Sequence, residues 1–359
     1  MTGIAARRLH AQRLTGDPFT SAVDVVRWLG AVQSQDYPGA RWALGQRTRG
    51  ATEAELDRLF DQGAILRTHA MRPTWHFVLP QDIRWLLELT GPRVRDGLAG
   101  RYRQLEIDDR VGARAGAAFA GALAGGRHLT RPELGEVLRA AGISPDGQRL
   151  PHLLMGAELD RLITSGPRRG KQLTYALLEE RAPRAPALDR TEALAELTRR
   201  YFRSHGPAQV QDFVWWSGLT MADARSGVAL AGADLDHQVI EDKDYWFDAE
   251  AGPAPEAGGA AHLLPNFDEY IVAYRDRAVV VQPDRPFDPA IFSFGSILSN
   301  VVIVEGRVRG AWRRTVTRGA VRVEVRLLDR LDPPEAAAVE EAARRLGRFL
   351  ECPVELAGL

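Results

Sequence analysis

The sequence predicts an α+β chain made of three helical units, each closed by a β-hairpin, and a β-rich C-terminal module. Three observations carry this reading. A cap or proline, about ten helix-forming residues and a terminal glycine occur in that order three times. Each occurrence has a helix before it, a helix after it, and then a strand pair with a turn. Beyond residue 261 the apolar period changes from helical to alternating.

The repeated helices fall at 19–30, 129–142 and 206–218, and Thr130 with Glu133 forms a capping-box signature in the second. Preceding helices are expected near 5–14, 111–123 and 192–204, and following helices near 53–62, 151–163 and 221–230. The first strand pair, 65–70 and 74–79, turns at Met71-Arg72-Pro73. In the second unit the turn 166–171 precedes a strand at 173–178, and in the third 237–240 pairs with 245–247. Three helices and a hairpin make the winged-helix arrangement, which sets a helix in a DNA groove. The expected domains are 1–110, 111–186, 187–248 and a β-rich 249–359. Arg181-Ala182-Pro183-Arg184-Ala185-Pro186 reads as a linker and 249–261 as a loose loop. Strands follow at 301–304, 307–312 and 321–327, with a turn at Glu305-Gly306, and a helix at 334–350 closes the chain.

The 359 residues exceed one ordinary domain. Basic and acidic residues balance at 47 each, so a polyanion would respond to where charge lies, not to its total. The basic residues are arginines apart from Lys171 and Lys243. That bias reads either as a GC-rich genome or as planar donors suited to phosphates. Between residues 305 and 330 eight arginines face three acids. Arg307, Arg309, Arg313, Arg314 and Arg318 are therefore the expected electrostatic footprint on DNA, a solvated strand face being the alternative. No apolar run is long enough to span a bilayer, and the charged N-terminus lacks a secretory core. Cys352 is a lone cysteine, which forms neither an intrachain disulfide nor a cysteine zinc cage. A cytoplasmic monomer is expected, with no cofactor and no metal, since no nucleotide or metal motif is present.

Two segments are specific beyond this pattern. One is Ala31-Val32-Gln33-Ser34-Gln35-Asp36-Tyr37-Pro38-Gly39-Ala40-Arg41-Trp42, and the other is Leu66-Arg67-Thr68-His69-Ala70-Met71-Arg72-Pro73-Thr74-Trp75-His76-Phe77. With Leu264-Pro265-Asn266-Phe267-Asp268-Glu269-Tyr270 and Gly310-Ala311-Trp312-Arg313-Arg314, they resemble the AlkZ/YcaQ family of bacterial winged-helix DNA glycosylases over essentially the whole chain. The resemblance implies three tandem winged-helix domains in a C shape around a β-barrel-like scaffold. It also implies excision of N7-alkylated purines, with cross-link unhooking in some members and self-resistance to a genotoxic natural product in several. The family motif is glutamine, an apolar residue, then glutamine or aspartate. Gln33 and Gln35 match it in the AlkZ-like form, and Ser34 departs from the apolar middle position.

Two neutral amides suit this chemistry. An N7-alkylguanine is already cationic and leaves without a strong general acid. The remaining task is to hold a water near C1′ and to favour an oxocarbenium-like sugar, which carboxamides can do by accepting and donating hydrogen bonds. Gln-X-Gln by itself is also a common solvated surface pattern. Asp36 is either an auxiliary base or a helix-terminal residue. Arg67 and Arg72 on the first wing are candidates for phosphate contacts. His69 and His76 either contact DNA or the sugar, or are buried and hydrogen-bonded to backbone. Asp268 and Glu269 are expected to pin the scaffold through arginine pairs. With no lysine near the motif, Schiff-base lyase activity is not expected. The expectation is a monofunctional glycosylase that hydrolyses the N-glycosidic bond of bulky N7-alkylguanine in double-stranded DNA. The alternatives are a non-enzymatic winged-helix transcription regulator and a damage-binding protein.

Overall fold

Internal contacts divide the chain into two compact units, residues 1–56 with 195–216 and 220–359, and residues 57–194 with 217–219. The computed structural model describes residues 2–182, 184–252, 259–281, 290–292 and 298–359. The expected linker includes residue 183 and the expected loop includes 253–258, and these positions lie outside the described residues.

In the second unit the capping-box signature forms as expected. The Thr130 hydroxyl and the Glu133 carboxylate satisfy each other's backbone N–H groups at the start of helix Arg131–Ala140. Helices Asp109–Leu123 and Arg149–Leu159 flank it. Together they bury Phe119, Leu123, Leu134, Leu138, Leu154 and Ile163. Three short strands close this group in the order Leu129–Thr130, Thr174–Leu177, Ile163–Ser165. Thr130→Ala is expected to cost about 1 kcal/mol of unfolding free energy, read by denaturant titration; no change would show the cap to be dispensable. Strands Leu66–Ala70 and Thr74–Val78 pair antiparallel in register Leu66 to Val78. Helix Ile83–Gln104 follows, with Pro92 inside it. Arg181, at the head of the expected linker, is docked: it donates to the carbonyls of Phe60 and Asp61, both at 3.0 Å, in the last turn of helix Glu53–Asp61. Carbonyls at a helix end lack intrahelical donors, so a guanidinium there completes the helix.

The first unit contains helices Thr2–Ala11, Ala22–Leu29, Tyr37–Gly45 and Met221–Ala231. Its hairpin Leu235–Ile240/Lys243–Asp248 turns through Glu241 and Asp242 alone, with φ of 50° and 58°. That geometry matches the twist of a two-residue hairpin. The turn is thus tighter than the 241–244 expected. The C-terminal module is a five-stranded sheet in the order Val354–Ala357, Ala320–Leu327, Arg307–Thr317, Val301–Val304, Ala261–Leu264. Neighbours are antiparallel except Val354–Ala357, which runs parallel to Ala320–Leu327. Val321, Val323 and Val325 are buried while Arg322 and Arg326 are exposed, as the alternation requires. This sheet is open: each outer strand has one partner, and among the described residues no sheet closes. The barrel-like expectation is corrected accordingly. Helix Pro333–Leu350 instead buries Val339, Leu346 and Phe349, the last with its ring 5.2 Å from that of Trp42. Among the described residues no helix is long and apolar enough to cross a membrane.

Candidate active site

Gln33 ends a short strand, Val32–Gln33, and Gln35 sits in the bend before helix Tyr37–Gly45. The two amides are therefore unlike. Gln33 is only 6% exposed and its Oε1 has no hydrogen-bond partner, whereas Gln35 is exposed. A buried acceptor left unpaired costs free energy, and a water, an ion or a ligand can satisfy it. The Gln33 backbone N–H donates to Glu269 Oε1 at 2.8 Å. Glu269 Oε2 in turn receives the Trp216 indole N–H at 2.9 Å and lies 3.3 Å from His205 Nε2.

The bend is built by its sequence. Asp36 caps helix Tyr37–Gly45 by accepting the Gly39 N–H at 3.3 Å, and Pro38 occupies the first turn, where no N–H is needed. A Cβ on Gly39 would lie 2.6 Å from Asp36 Oδ2 and 3.1 Å from Pro265, so glycine allows this close packing. Asp36 also accepts from Asn266 Nδ2 at 3.3 Å, while Asn266 Oδ1 is buried without a partner. Asp36 thus takes the helix-terminal role, tied to the 264–270 segment. Burial pulls the Arg314 guanidinium below its usual value, opposed by the nearby carboxylates of Glu53 and Asp36. Its Nη1 is buried and unpartnered. Glu53 also pairs with Arg41 at 3.0 Å. Arg314, Asp36 and Asn266 are each half-buried, and Asp36 adjoins the motif in sequence.

Asp268 behaves as expected of a scaffold pin. It takes a two-pronged contact from Arg47 at 2.8 and 2.9 Å. Arg47 also donates to the Gln12 carbonyl, the Gln12 side chain and the Ala43 carbonyl, so all five of its N–H groups are used. Among the contacts of Glu269 are an indole, an imidazole and the motif backbone. The sequence signal was an acidic pair inside an apolar segment, which says that the acids are buried but not what they touch. His205, Trp216 and Asn266 carried no such signal.

The remaining candidates divide by exposure. Arg318 lies exposed at the turn of the long hairpin formed by Arg307–Thr317 and Ala320–Leu327. Arg313 is 65% exposed and pairs with Glu324, and Val316, 63% exposed, lies further toward the tip, opposite Val321. Arg307 is half-buried. Arg309 is committed to Glu335 and Asp329, with 15% exposure, so its charge is neutralised inside the protein. On the first hairpin Arg67 is nearly buried and lies 4.2 Å over the Trp75 ring. Arg72 is half-buried at the turn. His69 contacts Trp75 at 4.2 Å and bonds Glu158 through Nδ1, and His76 Nδ1 lies 3.0 Å from the Thr74 carbonyl. His69 is 6% and His76 0% exposed; His76 meets a backbone carbonyl, as its buried alternative states, whereas His69 meets a carboxylate. The hairpin Leu235–Ile240/Lys243–Asp248 lies in a stretch, 234–250, with seven acids against Lys243 and His237. That balance is repulsive to phosphates.

The family model of AlkZ-like DNA glycosylases matches residues 26–349. A curated relative, the interstrand DNA cross-link repair glycosylase of Streptomyces sahachiroi, is 25% identical over 331 residues, covering 86% of each chain. The solved structure of the S. sahachiroi DNA glycosylase AlkZ superposes with a TM-score of 0.77 at 23% identity, covering 99% of this chain and 98% of that one. The match spans the Gln33–Gln35 bend, the Asp268–Glu269 segment and the hairpin together, and on it the chain belongs to the AlkZ-like DNA glycosylase family.

Proposed function

We propose that this glycosylase is monofunctional and hydrolyses the N-glycosidic bond of bulky N7-alkylguanine in double-stranded DNA, leaving an abasic site. The observation that carries the reading is the buried, unpartnered Oε1 of Gln33 beside the exposed amide of Gln35. Gln33 accepts a hydrogen bond from the attacking water, and Gln35 orients the water or the sugar-phosphate from the solvent side. Water oxygen bonds to C1′ as the C1′–N9 bond breaks. The bonding pair neutralises the cationic base, and the water's proton is released. Positioning and electrostatics, not a strong acid, lower the barrier. The reading includes three winged-helix domains with the 1–110, 111–186 and 187–248 division, a monomeric cytoplasmic protein, and self-resistance to an alkylating natural product. Single-turnover incubation with an N7-alkylguanine duplex tests it, by measuring free base and alkali-labile abasic sites together. Tight binding with no released base would favour the binding-protein alternative.

DNA contact is assigned to the exposed arginines of the long hairpin. Arg313→Ala and Arg318→Ala are each expected to lower the salt slope of log K by about one. Arg309→Ala is expected to leave the slope unchanged, since its partners are Glu335 and Asp329. A salt series of equilibrium affinities checks this. Unchanged slopes for both Arg313 and Arg318 variants would place the duplex elsewhere.

A further inference from the structure

Glu269 joins the motif backbone to a buried indole and imidazole. Oε1 receives the Gln33 N–H, Oε2 receives the Trp216 N–H, and Oε2 also faces His205 Nε2. Across the imidazole ring, Nδ1 is 2.8 Å from the Ser204 hydroxyl, which is 2.6 Å from the Arg200 carbonyl. His205 and Glu269 are buried together, at 0% and 1% exposure. The ring is held by Tyr201, whose plane lies 10° from it at a centroid distance of 4.8 Å, and the His205 carbonyl takes the Tyr274 hydroxyl at 2.8 Å.

A buried carboxylate adds little stability compared with an apolar residue of the same shape, so stability does not account for Glu269. Its backbone contact is with the motif. Gln33 Oε1 makes no hydrogen bond of its own, so its direction is set through the backbone. We propose that Glu269 is a positioning residue for base excision: paired with His205, it holds the Gln33 backbone so that the Gln33 side-chain oxygen is presented to the attacking water. The proposal rests on the reading of Gln33 as the water-holding amide.

Two variants test it on one N7-methylguanine duplex. Glu269→Gln keeps an acceptor for the Gln33 N–H, and Glu269→Leu keeps volume without an acceptor. The glutamine variant is expected to excise within about tenfold of wild type. The leucine variant is expected to be slower by about a hundredfold, the scale of a misplaced catalytic group. Both should bind the duplex within a few-fold of wild type. A leucine variant that excises at the wild-type rate overturns the proposal, as does a rate loss matched by an affinity loss. Because removing a buried partner can prevent folding, a second measurement uses wild type and Glu269→Gln alone. In ¹⁵N spectra the Gln33 amide should exchange faster in the glutamine variant than in wild type. Unchanged exchange overturns it. Should wild type release no base, the functional reading fails, while the spectra still decide the Glu269–Gln33 contact.

Discussion

Gln33→Ala and Gln35→Ala are each expected to reduce single-turnover excision by roughly ten- to a thousand-fold, the range for lost positioning and electrostatic stabilisation. The larger loss should fall on Gln33, whose oxygen is buried, unpartnered and held through its backbone by Glu269. If both amides address one water they act as a unit, and such effects are not additive. The double variant should then be little worse than the poorer single. Affinity for lesion-bearing DNA should stay within a few-fold, because the hairpin arginines remain. Base release and equilibrium binding on the same duplex decide the matter. Near-normal excision by the double variant would remove the mechanism. Parallel loss of binding and excision would make these glutamines ordinary DNA contacts.

The largest expected loss of stability comes from separating Arg47 and Asp268. Both side chains are fully buried, at 1% and 0% exposure. Asp268→Ala strands a guanidinium whose other three donors stay fixed on Gln12 and Ala43. Breaking such a pair from one side costs about 3–5 kcal/mol, much of it the burden of an unpaired buried charge. Arg47→Met combined with Asp268→Leu should recover part of that, because neither charge then remains. Denaturant unfolding of the three proteins measures it. A loss under about 1 kcal/mol for Asp268→Ala would mean that water reaches the guanidinium, contrary to the packing described. Excision should fall along with stability, since Asp268 also caps the short helix Glu269–Val272.

What could be read in the sequence was what local chemistry specifies. Thr130 and Glu133 lie three residues apart and announce a helix start, and Val321, Val323 and Val325 announce a buried strand face. The helix Tyr37–Gly45 was missed although Asp36 and Pro38 form a start signal, because that segment was read as a motif and not as an element. Helix Ile83–Gln104 was missed because Pro92 and glycines interrupt its pattern, and its packing overrides them. At the site, Gln33 and Gln35 were visible through resemblance. Their difference was not, since i and i+2 residues share a side only while the backbone stays extended, and it bends at Gln35. Glu269, His205 and Trp216 meet across long stretches of chain, and no local spacing encodes that. The open sheet likewise turns on which strand the terminal Val354–Ala357 joins.

The bond between Gln33 and Glu269 spans 236 residues, and the Arg47–Asp268 pair spans 221. At about 5–20 residues per second, a ribosome needs roughly 12 to 47 s to travel from the first partner of the Gln33 bond to the second. During that interval Gln33 lacks its anchor, and Arg47 carries a charge destined for the interior with no carboxylate to receive it. Residues 57–194 are contiguous and form nearly all of the second unit, so that unit can be complete while the first still waits for its C-terminal half. A nascent chain therefore holds Gln33 long before Glu269 exists to take its backbone N–H.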